Sequence, residues 1–143
     1  MRLWDISSPA CIRLFYGHKA PVTCAAISND GFNAASASDD GTVKLWQLGS
    51  AKCWATVPLP DDGGSPVSVS FSSSGRLLAC ASERAVNIWE LRELRELTSK
   101  PDAPPIAPTL TYATGMPLMS AAFVPQHQVL LAAGVELSDA MST

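Results

Sequence analysis

Two side chains in this sequence, His18 and Asp40, are of the types that carry out acid–base chemistry. An imidazole exchanges protons near neutral pH, and a neighbouring carboxylate can hold it in one orientation. Both residues fall inside a repeated sequence unit described below, and their positions there favour a structural hydrogen bond over catalysis. The other histidine, His127, follows Pro125-Gln126 in a predicted turn, where we expect it to be solvated.

The remaining groups that suit catalysis or metal binding lack the required spacing. Asp61 and Asp62 precede Gly63-Gly64, but a Ca²⁺ site needs about six to eight oxygen ligands in a recognisable pattern. No two cysteines are closer than 13 residues, which excludes a C-x-x-C zinc or redox motif. The cysteines are Cys11, Cys24, Cys53 and Cys80. Since no hydrolase, zinc-protease or phosphate-loop pattern is present either, the sequence predicts a protein that is not an enzyme and has no metal or cofactor.

The charge of the chain argues against direct binding of nucleic acid. The formal net charge is −3, and ten Lys and Arg residues are scattered along 143 positions, whereas nucleic-acid affinity depends on clustered cations. No apolar stretch approaches the roughly 20 residues of a membrane span, and the N-terminus lacks a signal-peptide pattern. We therefore expect no membrane insertion and a cytoplasmic or nuclear protein, in which unpaired cysteines are usual.

An internal repeat places these residues in a common frame. Trp4, Trp46 and Trp89 are spaced 42 and 43 residues apart. Cys11 follows the first tryptophan by seven residues, and Cys53 follows the second by the same distance. Two unrelated markers that share one period indicate a structural repeat of about 42 residues.

Short strand-like runs recur within this repeat. First runs occupy 22–28, 67–73 and 118–124, and second runs occupy 32–38, 76–82 and 128–134. Asp30-Gly31 and Ser74-Gly75, which separate two of these pairs, favour the left-handed backbone of tight hairpins. Short strands punctuated by turns indicate an all-β meander, and a repeat of this length with four strands is typical of a propeller blade.

The best-formed repeat opens with Gly17-His18 and closes with Leu45-Trp46, with Ser-Ala-Ser-Asp-Asp-Gly-Thr-Val-Lys at 36–44. This segment resembles a WD40 repeat. The resemblance implies an incomplete WD40 β-propeller built of four-stranded antiparallel blades. It also implies a hydrogen-bonded network within the blade, in which the family uses a His, a Ser or Thr, an Asp and the Trp. The corresponding residues here are His18, Asp40, Trp46 and either Ser36 or Ser38.

The repeat frame divides the chain into unequal units. Residues 1–16 are assigned to the end of a first blade, 17–58 to a complete WD40 repeat, 59–98 to a degenerate repeat, 99–109 to a Pro-rich loop, and 110–143 to a partial, degenerate blade and tail. A propeller ring needs typically four to eight blades, and this length supplies about three. We therefore expect a fragment or isoform of a longer propeller, whose remaining blades would complete the ring.

The spacing stretches after the degenerate repeat. Leucines recur every third residue from Leu91 to Leu97 with Arg and Glu between them. This pattern predicts an outer strand or a helical spur leaving the blade, with a short partner-docking helix as the alternative. Four prolines from Pro101 to Pro108 then predict an exposed, extended loop.

The function implied by these features is that of a protein–protein interaction scaffold in a multi-subunit complex. Rigid blades would present polar loops to partner proteins. The candidate partner-binding residues are Asp39, Asp61, Asp62, Arg84 and Arg92.

Two other functions remain open. Some WD40 proteins dock on a cullin–RING ubiquitin ligase adaptor through a sequence motif, which consists of small residues, an Asp and then Trp-Asp-x-Arg. The stretch from Ala79 through Trp89-Glu90 to Arg92 loosely resembles that motif, although Glu83 and Glu90 stand at the two Asp positions. The alternative function would then be a substrate receptor of a cullin–RING ubiquitin ligase. The second alternative is the non-catalytic propeller part of a larger enzyme.

Overall fold

The computed structural model describes residues 1–61, 64–124 and 130–134. These residues form β1 (Arg2–Asp5), β2 (Ala10–Leu14), β3 (Val22–Ile27), β4 (Asn33–Ser38), β5 (Thr42–Gln47), β6 (Lys52–Pro58), β7 (Pro66–Phe71), β8 (Leu77–Ser82), β9 (Ala85–Glu90), α1 (Leu91–Thr98), β10 (Leu110–Ala113), β11 (Leu118–Phe123) and β12 (Leu130–Gly134). Within these ranges, no helix combines the length and the apolar character that a bilayer crossing requires. The predicted turn at Pro125-Gln126-His127 and the expected end of the last blade at 135–139 lie outside the described residues.

The strands form four antiparallel sheets in chain order. Strands β3 to β6 make one four-stranded sheet, here called blade I, and β7 to β10 make a second, blade II. A leading half-blade, β1–β2, comes before them, and a trailing half-blade, β11–β12, comes after. This arrangement confirms the predicted all-β architecture of an incomplete propeller with four-stranded blades.

The repeated tryptophans lie on equivalent strands. Trp46 is on β5 and pairs with Cys53 on β6, just after a register irregularity. Trp4 on β1 pairs with Cys11 on β2, also just after an irregularity. Trp89 is on β9, the third strand of blade II. The seven-residue spacing from Trp to Cys is therefore a cross-strand pair, and the predicted repeat frame is confirmed.

One predicted boundary was wrong. The sequence assigned residues from 110 onward to the last blade, but Leu110–Ala113 pairs with β9 and forms the outer strand of blade II. The intervening segment begins as the helix α1, whose Leu91 and Leu94 are buried against the core. The prediction of a helical spur is thus correct, and the blade ends after Ala113.

The main core lies between blades I and II. Alternation along each strand sends one set of side chains to each face of a sheet. Val43, Leu45 and Val57 of blade I meet Leu78 and Trp89 of blade II there, and all five are fully or almost fully buried. Each such side chain contributes roughly 1.5–3 kcal/mol of hydrophobic stabilisation, so the contact between neighbouring blades holds the sheets in place.

The antiparallel meander gathers the connections at two ends. The upper end carries the connections β2–β3, β4–β5, β6–β7, β8–β9 and β10–β11, and the lower end carries the others. Neighbouring upper connections are joined by backbone bonds, such as Glu83 N–H to Ser65 O at 3.1 Å. At the lower end, Asn29 Nδ2 donates to Ser73 O at 3.1 Å and ties the hairpins of the two blades together.

Candidate functional site

A buried polar chain starts at His18, in the upper connection between β2 and β3. Gly17 before it has a φ of 148°, which an L side chain rarely adopts, and a Cβ there would sit 3.4 Å from the Trp46 ring. This backbone turns the His18 side chain into the blade. Its Nδ1 lies 2.8 Å from Asp40 Oδ2, and its Nε2 lies 2.8 Å from Ser36 Oγ.

Ser36 on β4 joins the imidazole to the repeated tryptophan. Trp46 Nε1 donates to Ser36 Oγ at 2.9 Å, and the serine is fully buried. Because the indole N–H can only donate, the serine hydroxyl is free to donate to His18 Nε2. The remaining ring proton then lies on Nδ1, directed at Asp40. The network inferred from the donor inventory is therefore a directed chain from Trp46 to Asp40.

Asp40 accepts more hydrogen bonds than any other member of this chain. Its carboxylate receives Thr42 Oγ1 at 2.6 Å, Thr42 N–H at 3.0 Å, Lys19 N–H at 2.9 Å and the His18 ring. Burial alone raises the pKa of Asp40, but these hydrogen bonds outweigh it, and the pKa falls well below its ordinary value. The carboxylate therefore stays ionised and fixes both upper connections of blade I.

The structure separates the two candidate serines. Ser38 is also fully buried, but its Oγ donates to Ala20 O at 3.0 Å and accepts from Asp40 N–H at 3.1 Å. It therefore supports the backbone of the two upper connections, whereas Ser36 contacts both rings. The polar chain consists of His18, Ser36, Asp40 and Trp46.

The distances in this chain match those of a Ser-His-Asp nucleophilic site, but the surroundings do not suit catalysis. A nucleophilic hydroxyl must reach a substrate carbonyl. Ser36 Oγ has no exposed surface and already receives the Trp46 N–H. The arrangement can therefore hold loops in place, and it leaves no room for a reacting group.

The residues of blade II that the structure describes contain no equivalent chain. Trp46 pairs with Ala34 and Trp89 pairs with Leu78, so Cys80 occupies the register of Ser36. Trp89 Nε1 has no acceptor among the described residues, although the ring is almost fully buried. Burial raises the pKa of the Cys80 thiol, which keeps it protonated and a poor acceptor. The role of Cys80 was not predicted from the sequence, although the repeat frame places this residue two positions after Leu78.

The candidate partner-binding residues fall at two ends of the molecule. Asp39 and Asp61 line one shallow groove of about 310 Å³ at the upper end. Arg84 lies at the same end, in the connection between β8 and β9. Arg92 lies at the lower end on α1, where its Nε donates to Glu96 at 3.0 Å. Asp62 lies outside the described residues. The described parts of the chain contain no cluster of three or more His, Cys, Asp or Glu side chains suited to a metal.

Sequence reasoning also missed Trp54, on the outer strand of blade I. Arg95 of α1 places its guanidinium carbon 4.9 Å from the centroid of the Trp54 ring, a cation–π contact. In the repeat frame, the residue equivalent to Trp54 in the leading half-blade is Ile12. A tryptophan that departs from the repeat on an outer strand was the available signal.

Comparison with known protein families identifies the repeat. The family model "WD domain, G-beta repeat" matches residues 9–47 and 52–90. Among solved structures, the crystal structure of the RRP9 WD40 repeats aligns with a TM-score of 0.69, covers 84% of this chain and 34% of that one, and is 20% identical in sequence. At this identity, the likeness shows a shared fold.

Several relatives with known names match parts of this chain. Pre-mRNA-processing factor 19 of Oryza sativa subsp. japonica is 38% identical over 80 residues, which are 55% of this chain and 15% of that protein. The target of rapamycin complex subunit wat1 of Schizosaccharomyces pombe is 35% identical over 111 residues, 73% of this chain and 34% of its own length. The Set1 complex component swd2 of the same yeast is 32% identical over 101 residues, 71% and 27% of the two chains. The present chain thus spans about a third of these relatives or less.

Proposed function

Because this chain belongs to the WD40 repeat family, we propose that it serves as a protein-interaction scaffold within a multi-subunit assembly. Two of its relatives are named as a complex subunit and a complex component, which supports this role. The observation that carries the proposal is the buried chain of blade I. It uses the His18, Ser36 and Asp40 side chains for internal hydrogen bonds, so these residues stabilise a surface and are not available for a reaction.

We place the partner surface at the upper end. The polar chain fixes the connection that carries Asp39, and Leu59 N–H donates to Gly41 O at 2.8 Å, which ties the connection carrying Asp61 to it. Two carboxylates on loops held in this way suit a basic segment of a partner protein. Arg84 belongs to the same proposed surface, and Asp62, which lies outside the described residues, stays a proposed partner-binding residue. Binding of a partner then costs this chain little conformational entropy, because its loops are already fixed.

A nuclear or cytoplasmic location belongs to the same proposal. All four cysteines are free thiols, and disulfides are rare in both compartments. The alternative of a ubiquitin-ligase substrate receptor depends on Arg92, whose guanidinium is bound to Glu96, and no described contact favours that role. The alternative of a non-catalytic part of a larger enzyme stays a prediction.

Quantitative affinity purification of the complete protein from its own cells tests the upper surface. The test variant is Asp39→Lys with Asp61→Lys. The matched control is Glu93→Lys with Asp102→Lys, which makes the same change in charge at two exposed residues outside the upper groove and outside the cavities along α1. We expect a defined set of proteins to copurify with the wild type and the control and to fall at least about tenfold with the test variant, a difference of about 1.4 kcal/mol. Equal recovery with all three proteins would contradict the proposed surface.

A further inference from the structure

The helix α1 distinguishes blade II from blade I. In blade I, four residues, 48–51, join the third and fourth strands, whereas residues 91–109 do so in blade II. The helix starts directly after β9, where Leu91 N–H donates to Arg76 O at 2.8 Å. Leu91 and Leu94 are buried in the core between the blades. The insertion is therefore a docked part of the lower end.

The helix forms one wall of a groove across the junction of the two blades. It packs against β6 of blade I and β9 of blade II. Two adjoining cavities of about 620 and 810 Å³ lie along it and share Asp30, Asn33, Trp54 and Arg95. We call this feature the lower groove. Trp54 lines both cavities, and within the described ranges its Nε1 has no acceptor. The two adjoining cavities together offer space for a segment of extended peptide.

The lower groove is more basic than the rest of the chain. Four of the ten Lys and Arg residues line it, against three of the thirteen Asp and Glu residues. The basic residues are Lys52, Arg76, Arg92 and Arg95, and the acidic residues are Asp30, Glu90 and Glu96.

Two of the three acidic side chains already have partners. Asp30 accepts from Ser28 Oγ and from Phe32 N–H within its own hairpin. Glu96 is bound to Arg92. By contrast, the ion pairs found among the described residues involve none of Lys52, Arg76 and Arg95. Three cations without an ion-pair partner among the described residues therefore line the groove, against the two remaining carboxylates of Asp30 and Glu90, in a chain whose net charge is −3.

We propose that the lower groove binds an acidic, extended segment of a partner protein. Arginine guanidinium groups bind carboxylates with two parallel hydrogen bonds. Alternate side chains of an extended peptide point the same way at intervals of roughly 6.6 Å, so acidic residues at every second position can reach successive cations. The Trp54 face with Arg95 across it provides an apolar and cationic surface for the peptide backbone between them. This surface lies at the opposite end of the blades from the one proposed above, so the two proposals stand or fall separately.

Fluorescence anisotropy with the 143-residue protein tests this inference. The probe is a labelled decapeptide of alternating Glu and Ser, and the comparison probe alternates Lys and Ser. We expect the acidic peptide alone to bind, and its affinity to fall as NaCl rises from about 50 to about 300 mM, because salt screens exposed charges. Arg76→Glu combined with Arg95→Glu should weaken binding at least about tenfold, equivalent to about 1.4 kcal/mol. The matched control, Arg2→Glu combined with Arg13→Glu on the leading half-blade, makes the same change in charge at two exposed residues outside the groove and should change affinity less than about twofold.

A second measurement uses the wild-type chain only and so does not depend on the folding of a variant. In ¹H–¹⁵N spectra, the indole N–H signal of Trp54, assigned with Trp54→Phe, should move on addition of the acidic peptide. The indole signals of Trp4, Trp46 and Trp89 should stay in place. The inference is overturned if the acidic peptide does not bind, if the basic peptide binds as well, or if the Trp54 signal is unchanged at saturation. It is also overturned if the control variant at Arg2 and Arg13 weakens binding as much as the variant at Arg76 and Arg95.

Discussion

Replacement of Ser36 by alanine is the most direct test of the buried polar chain. The serine is fully buried and makes two side-chain hydrogen bonds, from Trp46 Nε1 at 2.9 Å and with His18 Nε2 at 2.8 Å. Alanine keeps the β-strand backbone and removes one oxygen. Both rings would then have a polar nitrogen in the interior with no partner.

The expected loss follows from the two nitrogens left unpaired. An unpaired buried donor or acceptor costs about 1–3 kcal/mol, and His18 retains its bond to Asp40, so we expect Ser36→Ala to lower the free energy of unfolding by about 3 kcal/mol. For a chain of this size, that corresponds to a fall of roughly 10 °C in Tm. Cys80→Ala is the matched control. Cys80 occupies the same register in blade II, is fully buried and makes only a 4.0 Å contact through its sulfur. Its loss should cost about 1 kcal/mol.

Urea unfolding followed by far-UV circular dichroism measures both variants against the wild type. The free energies are comparable if the slope of each transition is unchanged. The reasoning about the polar chain is refuted if Ser36→Ala is no more destabilising than Cys80→Ala within about 0.5 kcal/mol, because the two hydrogen bonds would then contribute nothing net.

Three further predictions concern the same elements. The hydrogen bonds to Asp40 lower its folded-state pKa below the ordinary value of about 3.9, so its contribution to stability is complete above that pH and is lost as the pH falls through the folded-state pKa. Urea midpoints between about pH 5 and pH 2 should therefore fall more steeply for the wild type than for Asp40→Asn, and parallel curves would contradict this. Leu94→Ala removes a side chain that is 2% exposed and should lower the free energy of unfolding by about 3 kcal/mol. The matched variant Leu97→Ala, at a half-buried position of α1, should lower it by less than about 1 kcal/mol in the same urea assay, and equal losses would mean that α1 is not docked as described. Cys80→Ser places a hydroxyl acceptor in the register that Ser36 occupies in blade I, so the indole N–H of Trp89 should exchange with deuterium at least about tenfold more slowly, and an unchanged rate would show that the serine does not reach it.

The repeat could be predicted from the sequence because the Trp and Cys residues that mark it are held at a constant spacing by the pairing of two neighbouring strands. A Trp-to-Cys pair recurs where the third and fourth strands face each other, and this spacing depends only on the turn between them. The position of Trp89 was predictable from its spacing of 43 residues to Trp46, because both tryptophans lie on the third strand of a blade. Local periodicity was therefore enough to identify equivalent strands in blades I and II.

The choice between Ser36 and Ser38 needed the structure. Both serines lie on β4 with one residue between them, so both point to the same face of the sheet. Which one meets the histidine depends on the path of the connection that carries His18, and this path is set by the unusual backbone of Gly17. Side-chain alternation alone cannot separate two positions on one face.

The outer strand of blade II was missed because the insertion hides it. Residues 110–113 have no distinctive pattern and all four are exposed. Their pairing with β9 starts where Thr109 N–H donates to Ile88 O at 2.8 Å, a contact between residues 21 positions apart. Such a contact has no signature in a local window. The lower groove was unpredictable for a similar reason, since it depends on the docking of α1 across two blades.

The long connection before β10 has a consequence for the order in which the blades assemble. Closing a loop of 19 residues costs roughly 1.3 kcal/mol more entropy than closing the four-residue turn of blade I. This cost falls on a strand of four exposed residues, so little buried surface offsets it. Blade I can close from neighbouring segments, whereas β10 must wait for the helix to settle and is expected to join last. The same strand is expected to detach first, which makes the rim of blade II the place where this molecule can exchange one strand for another.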